Sequence, residues 1–85
     1  MKAVLIEFIG TCFFLYVILA TGSPIAIGAA LAAAIYVGGS ISGGNFNPAV
    51  TIMMIAAKKQ SIDTALPYIV AQVAGGFTAL ALYQL

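Results

Sequence analysis

The sequence contains no histidine, no arginine and no tryptophan, and Cys12 is its single cysteine. An intrachain disulfide is therefore impossible, and a metal site built from cysteine and histidine has no second type of ligand. Cys12 lies within an apolar stretch, where a cysteine serves as a small packing residue. We expect no metal ion and no cofactor.

Acidic residues are equally scarce, since Glu7 and Asp63 are the two carboxylates and lie on different segments. Without histidine they form no acid/base pair, catalytic triad or metal set. Ser40 and Ser42 have no base partner in the sequence. The composition therefore predicts that the chain is not an enzyme.

Charge of either sign is low, with 6% charged residues and a net charge of +1, and no basic cluster suggests a nucleic-acid partner. In contrast, 64% of the residues are hydrophobic and the mean hydropathy is +1.17, far outside the range of a soluble domain. The sequence therefore predicts an all-α integral membrane protein whose first partner is the lipid bilayer.

A polar and glycine-rich segment that predicts a helix start interrupts this apolar chain. It comprises residues 42–51, Ser-Gly-Gly-Asn-Phe-Asn-Pro-Ala-Val-Thr. Asn47 is a good N-cap and Pro48 suits the first helical position, so residues 49–57 are predicted as a short apolar helix. Nine or ten residues give about 14 Å, half the thickness of a bilayer core. Non-helical glycine backbone is tolerated at membrane depth only where it is buried in protein or lines a water-filled cavity. The segment is therefore predicted to be a re-entrant pore lining.

Three longer apolar segments, at about residues 3–20, 24–39 and 65–85, are predicted to span the membrane, with the re-entrant loop and half-helix at about 40–57. The second segment would be only about 24 Å long, so we expect local thinning of the bilayer or compensation by neighbouring helices. Three crossings place the termini on opposite sides. Lys2, Lys58 and Lys59 share the N-terminal face, which predicts a cytoplasmic N-terminus.

Small residues recur at every fourth position of the second and third spans. This spacing lets helix backbones approach closely in lipid and favours a tightly packed bundle, although alanine also simply fills membrane helices. The positions are Gly28/Ala32, Ala29/Ala33, Ala30/Ala34, Ala34/Gly38 and Ala71/Gly75/Ala79.

The Asn47-Pro48-Ala49 motif and its flanking residues resemble the first half of an aquaporin, of the major intrinsic protein family. Glu7-Phe8-Ile9-Gly10-Thr11 is similar to the family's first-helix signature and residues 71–76, Ala-Gln-Val-Ala-Gly-Gly, to its third-helix signature. Aquaporins join two such three-helix repeats, the second inverted. The resemblance therefore implies that residues 1–85 form a single half-repeat.

The resemblance also implies roles for the motif. Asn47 would present its NH2 to water at the pore centre, or would merely cap the half-helix, and both can hold at once. Pro48 and Ala49 would contact their counterparts in a facing half-helix. Gly43 and Gly44 would suit an extended backbone path that needs little side-chain bulk, or would form an ordinary turn. Water would pass a ladder of carbonyl groups from Gly43, Gly44, Asn45 and Phe46.

Glu7 and Gln72 would support the re-entrant loop rather than contact water, because an unpaired carboxylate inside a span is expensive. The aromatic position of the family's outer constriction falls on Ile27, and the arginine and histidine of that constriction have no counterpart. An outer filter built from this chain would be apolar. That would widen the range of solutes and weaken the exclusion of protons or cations.

The expected function is that of a channel subunit for passive transport of water, glycerol or other small neutral solutes. A second half-repeat would complete the pore, and a higher oligomer is expected. An inverted copy of the chain, a separate second chain and a fragment of a longer protein remain open, although the lysine bias speaks against the inverted copy. The alternative is a structural half-repeat that inserts and assembles without conducting.

Overall fold

A computed structural model describes all 85 residues and is entirely helical. The bundle measures 36 × 23 × 20 Å, so its longest dimension matches a bilayer core of about 30 Å with its borders. Three of the helices are long and apolar enough to cross a membrane, and the predicted fold class is confirmed. The helices are α1 (Lys2–Thr21), α2 (Pro24–Ser42), α3 (Pro48–Ala56) and α4 (Ala65–Tyr83), with a 3-10 turn (Ile62–Thr64) directly before α4.

A tight turn joins α1 to α2. Gly22 ends α1 with a left-handed φ of 59°, and Ser23 caps α2 by accepting a hydrogen bond from the Ala26 N–H at 3.3 Å. Pro24 occupies the first position of α2, where its missing N–H costs nothing. The two helices therefore form a short antiparallel hairpin.

Helix α2 continues to Ser42, three residues beyond the predicted end of the second span at about residue 39. Its 19 residues give about 28 Å, close to a full bilayer core, so no local thinning is required. Gly38 stays helical because it packs closely on α1, where an added Cβ would meet the Ile6 side chain at 2.6 Å. The re-entrant segment therefore begins at Gly43 rather than near residue 40.

The other predicted boundaries shift by one or two residues. The half-helix ends at Ala56 with Ala57 as its C-cap, and Lys58 follows in the left-handed region at φ 62°. The last span ends at Tyr83 rather than at Leu85. The residues between α3 and α4, 57–64, form a connector that ends in the 3-10 turn.

Helix α1 lies between α2 and α4, and the half-helix α3 packs against α4. One stripe of small residues on each partner helix is buried, while Gly28, Ala29, Ala32 and Ala33 are exposed. The small-residue spacing therefore marks a close helix contact along only one of the small-residue stripes of α2 and along the stripe of α4. The buried stripes are Ala30, Ala34, Gly38 and Ser42 on α2, and Ala71, Gly75 and Ala79 on α4.

Gly75→Ala is expected to destabilise the bundle by about 1–3 kcal/mol, the usual effect of overpacking. A Cβ at this position would lie 2.8 Å from the Phe8 carbonyl oxygen and 3.1 Å from the Cys12 nitrogen, so two backbones would have to separate. Gly28→Ala is the matched control, because a Cβ there meets nothing within 4 Å and alanine favours the helix. Thermal unfolding in detergent, followed by circular dichroism, tests the pair. Equal stability of the two variants would contradict the close packing of α1 on α4.

Candidate functional site

The backbone between α2 and α3 turns sharply rather than running extended. Gly43 and Gly44 adopt positive φ angles of 91° and 66°, and the Gly43 N–H closes the last turn of α2 on the Gly39 carbonyl at 2.8 Å. These angles are left-handed, a region that glycine enters at little cost. The predicted extended path at these two residues is therefore wrong, and the turn alternative describes them.

The Glu7 carboxylate lies at the centre of this loop and is fully buried. An ionised carboxylate offers about four acceptor sites, and here each oxygen has two donors. The loop is thus fastened to α1 through its own backbone. Oε1 accepts from the Phe46 N–H at 2.7 Å and the Gln72 Nε2 at 2.9 Å, and Oε2 accepts from the Ser42 hydroxyl at 2.7 Å and the Asn45 N–H at 3.0 Å.

Gln72 connects α4 to both the carboxylate and the half-helix. Besides its bond to Glu7, its Nε2 donates to the Thr51 hydroxyl at 2.8 Å, and Thr51 also accepts from the Asn45 Nδ2 at 2.8 Å. All four side chains are buried. Gln72 and Glu7 were predicted as loop supports, and the structure places them in one network with the loop and α3.

Ser42 and Tyr68 fasten the end of α2. The Ser42 hydroxyl donates to Glu7 and accepts from the Gly44 N–H at 3.1 Å, while the Tyr68 hydroxyl donates to the Ser42 carbonyl at 2.7 Å. The Glu7 carboxylate is thus a structural acceptor for Ser42, a contact that the sequence analysis did not predict. The hydroxyl is buried and its bonds to Glu7 and Gly44 hold the loop, while a longer contact of 3.4 Å reaches the Gly38 carbonyl within α2.

The Phe46 side chain also anchors the loop to α1. Its ring is 1% exposed and lies against Gly10, where an added Cβ would overlap the ring. Phe46 itself has a φ of 55°, which costs a non-glycine residue about 1–2 kcal/mol. Burial of the ring and the bond from its N–H to Glu7 hold this unfavourable conformation.

Asn47 follows at the edge of the network and is exposed. Its Oδ1 accepts from the Ala49 N–H at 2.8 Å, so the side chain caps α3. Because the oxygen is engaged in the cap, the NH2 is the part of the side chain left for a group outside the chain. Pro48 is half-buried and Ala49 is exposed, so the start of α3 is open.

A groove of ≈ 270 Å³ runs beside Asn47 and Pro48, between α1 and α4. Thr11 and Gln72 also line it, and the Thr11 Oγ1 and Gln72 Oε1 atoms have no hydrogen-bond partner within the chain. The larger grooves elsewhere on the bundle are lined by apolar side chains and glycine, apart from the hydroxyl of Tyr16 and the thiol of Cys12. Amide groups therefore gather at this end of the half-helix.

Ile27 lies apart from this site. It is half-buried on α2, fifteen residues before Ser42, which is about 22 Å along the helix axis. The structure therefore brings together Glu7, Gln72 and residues 43–49, and does not bring Ile27 to them.

Sequence reasoning missed Ser42, Thr51 and Tyr68 as members of the network, and also Gln60, whose Oε1 accepts from the Asn45 Nδ2 at 2.7 Å. A signal was available for three of them, because polar side chains in apolar spans require a partner. Thr51, Tyr68 and Ser42 are polar residues of helices α3, α4 and α2, and each makes a buried hydrogen bond to the network.

Three spans and a capped, re-entrant half-helix define the chain as an integral membrane protein of the α-helical class. The sequence model of the family described as major intrinsic protein matches residues 18–85. The chain therefore belongs to this family. No solved structure matches the chain significantly.

Curated relatives agree with this assignment. A glycerol uptake facilitator protein-like 6 from Lactiplantibacillus plantarum is 40% identical, over 95% of this chain and 42% of its own length. A probable aquaporin PIP2-6 from Oryza sativa subsp. japonica is 34% identical, over 98% of this chain and 36% of its own. An aquaporin Z from Photorhabdus laumondii is 45% identical, over 71% of this chain and 26% of its own length. The chain thus spans less than half the length of these relatives.

Proposed function

We propose that this protein is a subunit of a membrane channel for the passive transport of water, with glycerol and other small neutral solutes as further permeants. The observation that carries the proposal is the exposed Asn47 at the open start of α3, in a groove lined by residues from the middle of α1 and α4. A polar side chain in that place, with its oxygen engaged in the cap, is suited to a permeant that accepts a hydrogen bond.

The electrostatics of the half-helix favour a neutral permeant over a cation. The N-terminus of a helix carries a partial positive charge, equivalent to about half an elementary charge for a long helix. Asn47 adds an NH2 donor at the same place. Positive helix ends and hydrogen-bond donors are the elements by which water pores oppose the passage of protons and cations. A permeant that offers an oxygen lone pair, such as water or an alcohol, would interact favourably with this site.

The other predicted site residues would line or support the permeation path around Asn47. The carbonyl groups of residues 43–46 would offer acceptors to the permeant, and Pro48 and Ala49 would contact a facing half-helix. Glu7 and Gln72 would hold the loop in place without touching water, in keeping with their burial. Ile27 would lie at an apolar outer constriction, well away from Asn47.

A second half-repeat would complete the pore. The relatives are more than twice as long as the region that this chain matches, and the start of α3 is open. An inverted copy of the chain or a separate polypeptide would supply the missing half, or the chain would be continuous with it in a longer protein. Assembly into a higher oligomer is part of the proposal.

Osmotic swelling of vesicles tests the proposed function. Vesicles would carry either the purified chain or the chain together with the unmatched part of the glycerol uptake facilitator-like relative. We expect one of the two preparations to swell faster than empty vesicles. If neither does, although both parts are inserted and folded, the chain is a non-conducting assembly protein and the channel proposal is wrong.

The N-terminus is expected to lie in the cytoplasm in most copies, because Lys2 begins α1 and Lys58 and Lys59 follow α3 on the same face. Reporters fused to either end, active on one side of the membrane, measure this orientation. Moving two lysines to the hairpin at residues 22–23 serves as the control and should invert the chain. Equal populations in both orientations would contradict the charge argument and favour an inverted homodimer.

A further inference from the structure

Gln60 links the surface connector to the buried loop, although fifteen residues separate it from Asn45. Its Oε1 accepts a hydrogen bond from the Asn45 Nδ2 at 2.7 Å, and its Nε2 donates to the Thr64 hydroxyl at 2.8 Å. Gln60 is half-buried, whereas Asn45 is 4% exposed. The contact thus reaches from the membrane surface into the core of the site.

The orientation of the Gln60 amide is determined by the connector itself. The Thr64 hydroxyl donates its one hydrogen to the Ser61 carbonyl at 2.6 Å, so it must accept from its other neighbour. The NH2 of Gln60 is the donor that fits. Its oxygen is consequently directed at Asn45, which makes the connector an acceptor toward the loop.

Asn45 needs that acceptor. Its NH2 has two hydrogens, one of which goes to the Thr51 hydroxyl and the other to Gln60, while its backbone N–H goes to Glu7. Without Gln60, one hydrogen of a buried amide would have no partner within the chain, and a buried donor left unpaired is unfavourable. Three different elements, α1, α3 and the connector, therefore hold this one residue.

We propose that Gln60 is a positioning residue of the re-entrant loop. By accepting a hydrogen bond from Asn45, Gln60 keeps the Asn45 side chain beside Thr51. The backbone of the next two residues, Phe46 and Asn47, is thereby held in the observed conformation. The consequence for permeation rests on the proposed function of Asn47. The positioning of the loop itself does not, because it follows from contacts within the chain.

Hydrogen exchange detected by NMR, on the full chain in lipid nanodiscs, tests this proposal. Gln60→Ala should accelerate exchange of the Asn45 and Phe46 backbone amides about five-fold or more, because these N–H groups donate to Glu7 from the loop. Gln60→Glu keeps an acceptor for Asn45, and the Thr64 hydroxyl can turn its hydrogen from the Ser61 carbonyl to the new carboxylate, so the loop amides should exchange like those of the parent. Lys59→Ala, an exposed change in the same connector, is the matched control.

Three outcomes would overturn the proposal. The first is an unchanged rate at Asn45 and Phe46 in Gln60→Ala, which would mean that water replaces the glutamine without loss. The second is equal acceleration in Gln60→Glu, which would exclude the acceptor role. The third is acceleration across α1 and α4 as well, with a matching fall in the melting temperature, which would make Gln60 a residue of global stability.

Vesicle swelling separates this inference from the proposed function. If the parent conducts, Gln60→Ala should conduct less water while Gln60→Glu and Lys59→Ala conduct like the parent. If no preparation conducts but Gln60→Ala selectively accelerates loop exchange, the channel proposal fails and the positioning role stands. A conducting parent with unaltered loop exchange in Gln60→Ala would remove the positioning role and leave the channel.

Discussion

Glu7→Leu is expected to lower the unfolding free energy in detergent by more than about 3 kcal/mol, since a buried donor left without an acceptor costs about 1–3 kcal/mol. Four donors lose the Glu7 acceptor at once: the Asn45 and Phe46 N–H groups, the Ser42 hydroxyl and the Gln72 Nε2. Ser42 and Gln72 keep the Gly38 carbonyl and the Thr51 hydroxyl as second acceptors, whereas the two backbone N–H groups keep none. Leucine fills a similar volume, so the effect reports the lost hydrogen bonds rather than a cavity. Thermal or denaturant unfolding measures it.

Glu7→Gln is expected to fall between the parent and Glu7→Leu. The glutamine oxygen still accepts from two donors, whereas its NH2 faces two groups that also donate. Asp63→Asn removes a carboxylate from an exposed position in the connector and is the control for loss of charge alone. If Glu7→Leu unfolds like Asp63→Asn, the carboxylate does not hold the loop and the description of the network is wrong.

Asn47→Asp is expected to preserve folding and to change transport. Aspartate and asparagine cap helices about equally well, so α3 should keep its start. The NH2 donor would be replaced by a carboxylate beside the positive end of the half-helix, which reverses the sign of the barrier to cations. Water flux should fall and leakage of protons or cations should rise. Swelling and pH-sensitive dye assays on the same vesicles measure the two effects.

Two further variants complete this experiment. Asn47→Leu removes both the cap and the donor, so stability should fall by about 1 kcal/mol, the usual cost of losing an N-cap, together with the flux. Gln84→Glu makes the same amide-to-acid change at the exposed C-cap of α4 and should leave the water flux and the ion leakage unchanged. If Asn47→Asp conducts water and excludes ions like the parent, Asn47 is a cap without a role in permeation.

The parts of the fold that local chemistry determines were predictable from the sequence. Long apolar runs predict the spans, and Asn47 followed by Pro48 predicts the start of α3, because capping depends on neighbouring residues only. The end of α2 was not predictable in this way. Gly38, Gly39 and Ser40 look like a break, yet close packing of Gly38 on α1 keeps this segment helical until Gly43 turns left-handed.

The polar network was predictable only in part, for a related physical reason. Glu7 in an apolar span requires a partner, and the motif suggested the loop as that partner. The pairing of Asn45 with Gln60, and of Thr51 with Gln72, joins residues that are 15 and 21 positions apart. Such pairs depend on how the connector and α3 pack, and no local pattern specifies them. The left-handed φ of Phe46 likewise depends on the space that Gly10 provides.

Contact between water and the Asn47 side chain in the membrane tests the central claim most directly. Solid-state NMR of the chain in conducting vesicles can detect magnetisation transfer from water to side-chain amides. We expect transfer to the exposed Asn47 NH2 and none to the buried Asn45 NH2, which serves as the internal control. Transfer to Asn47 from lipid acyl chains instead of water would contradict the proposal that this residue faces the path of the permeant.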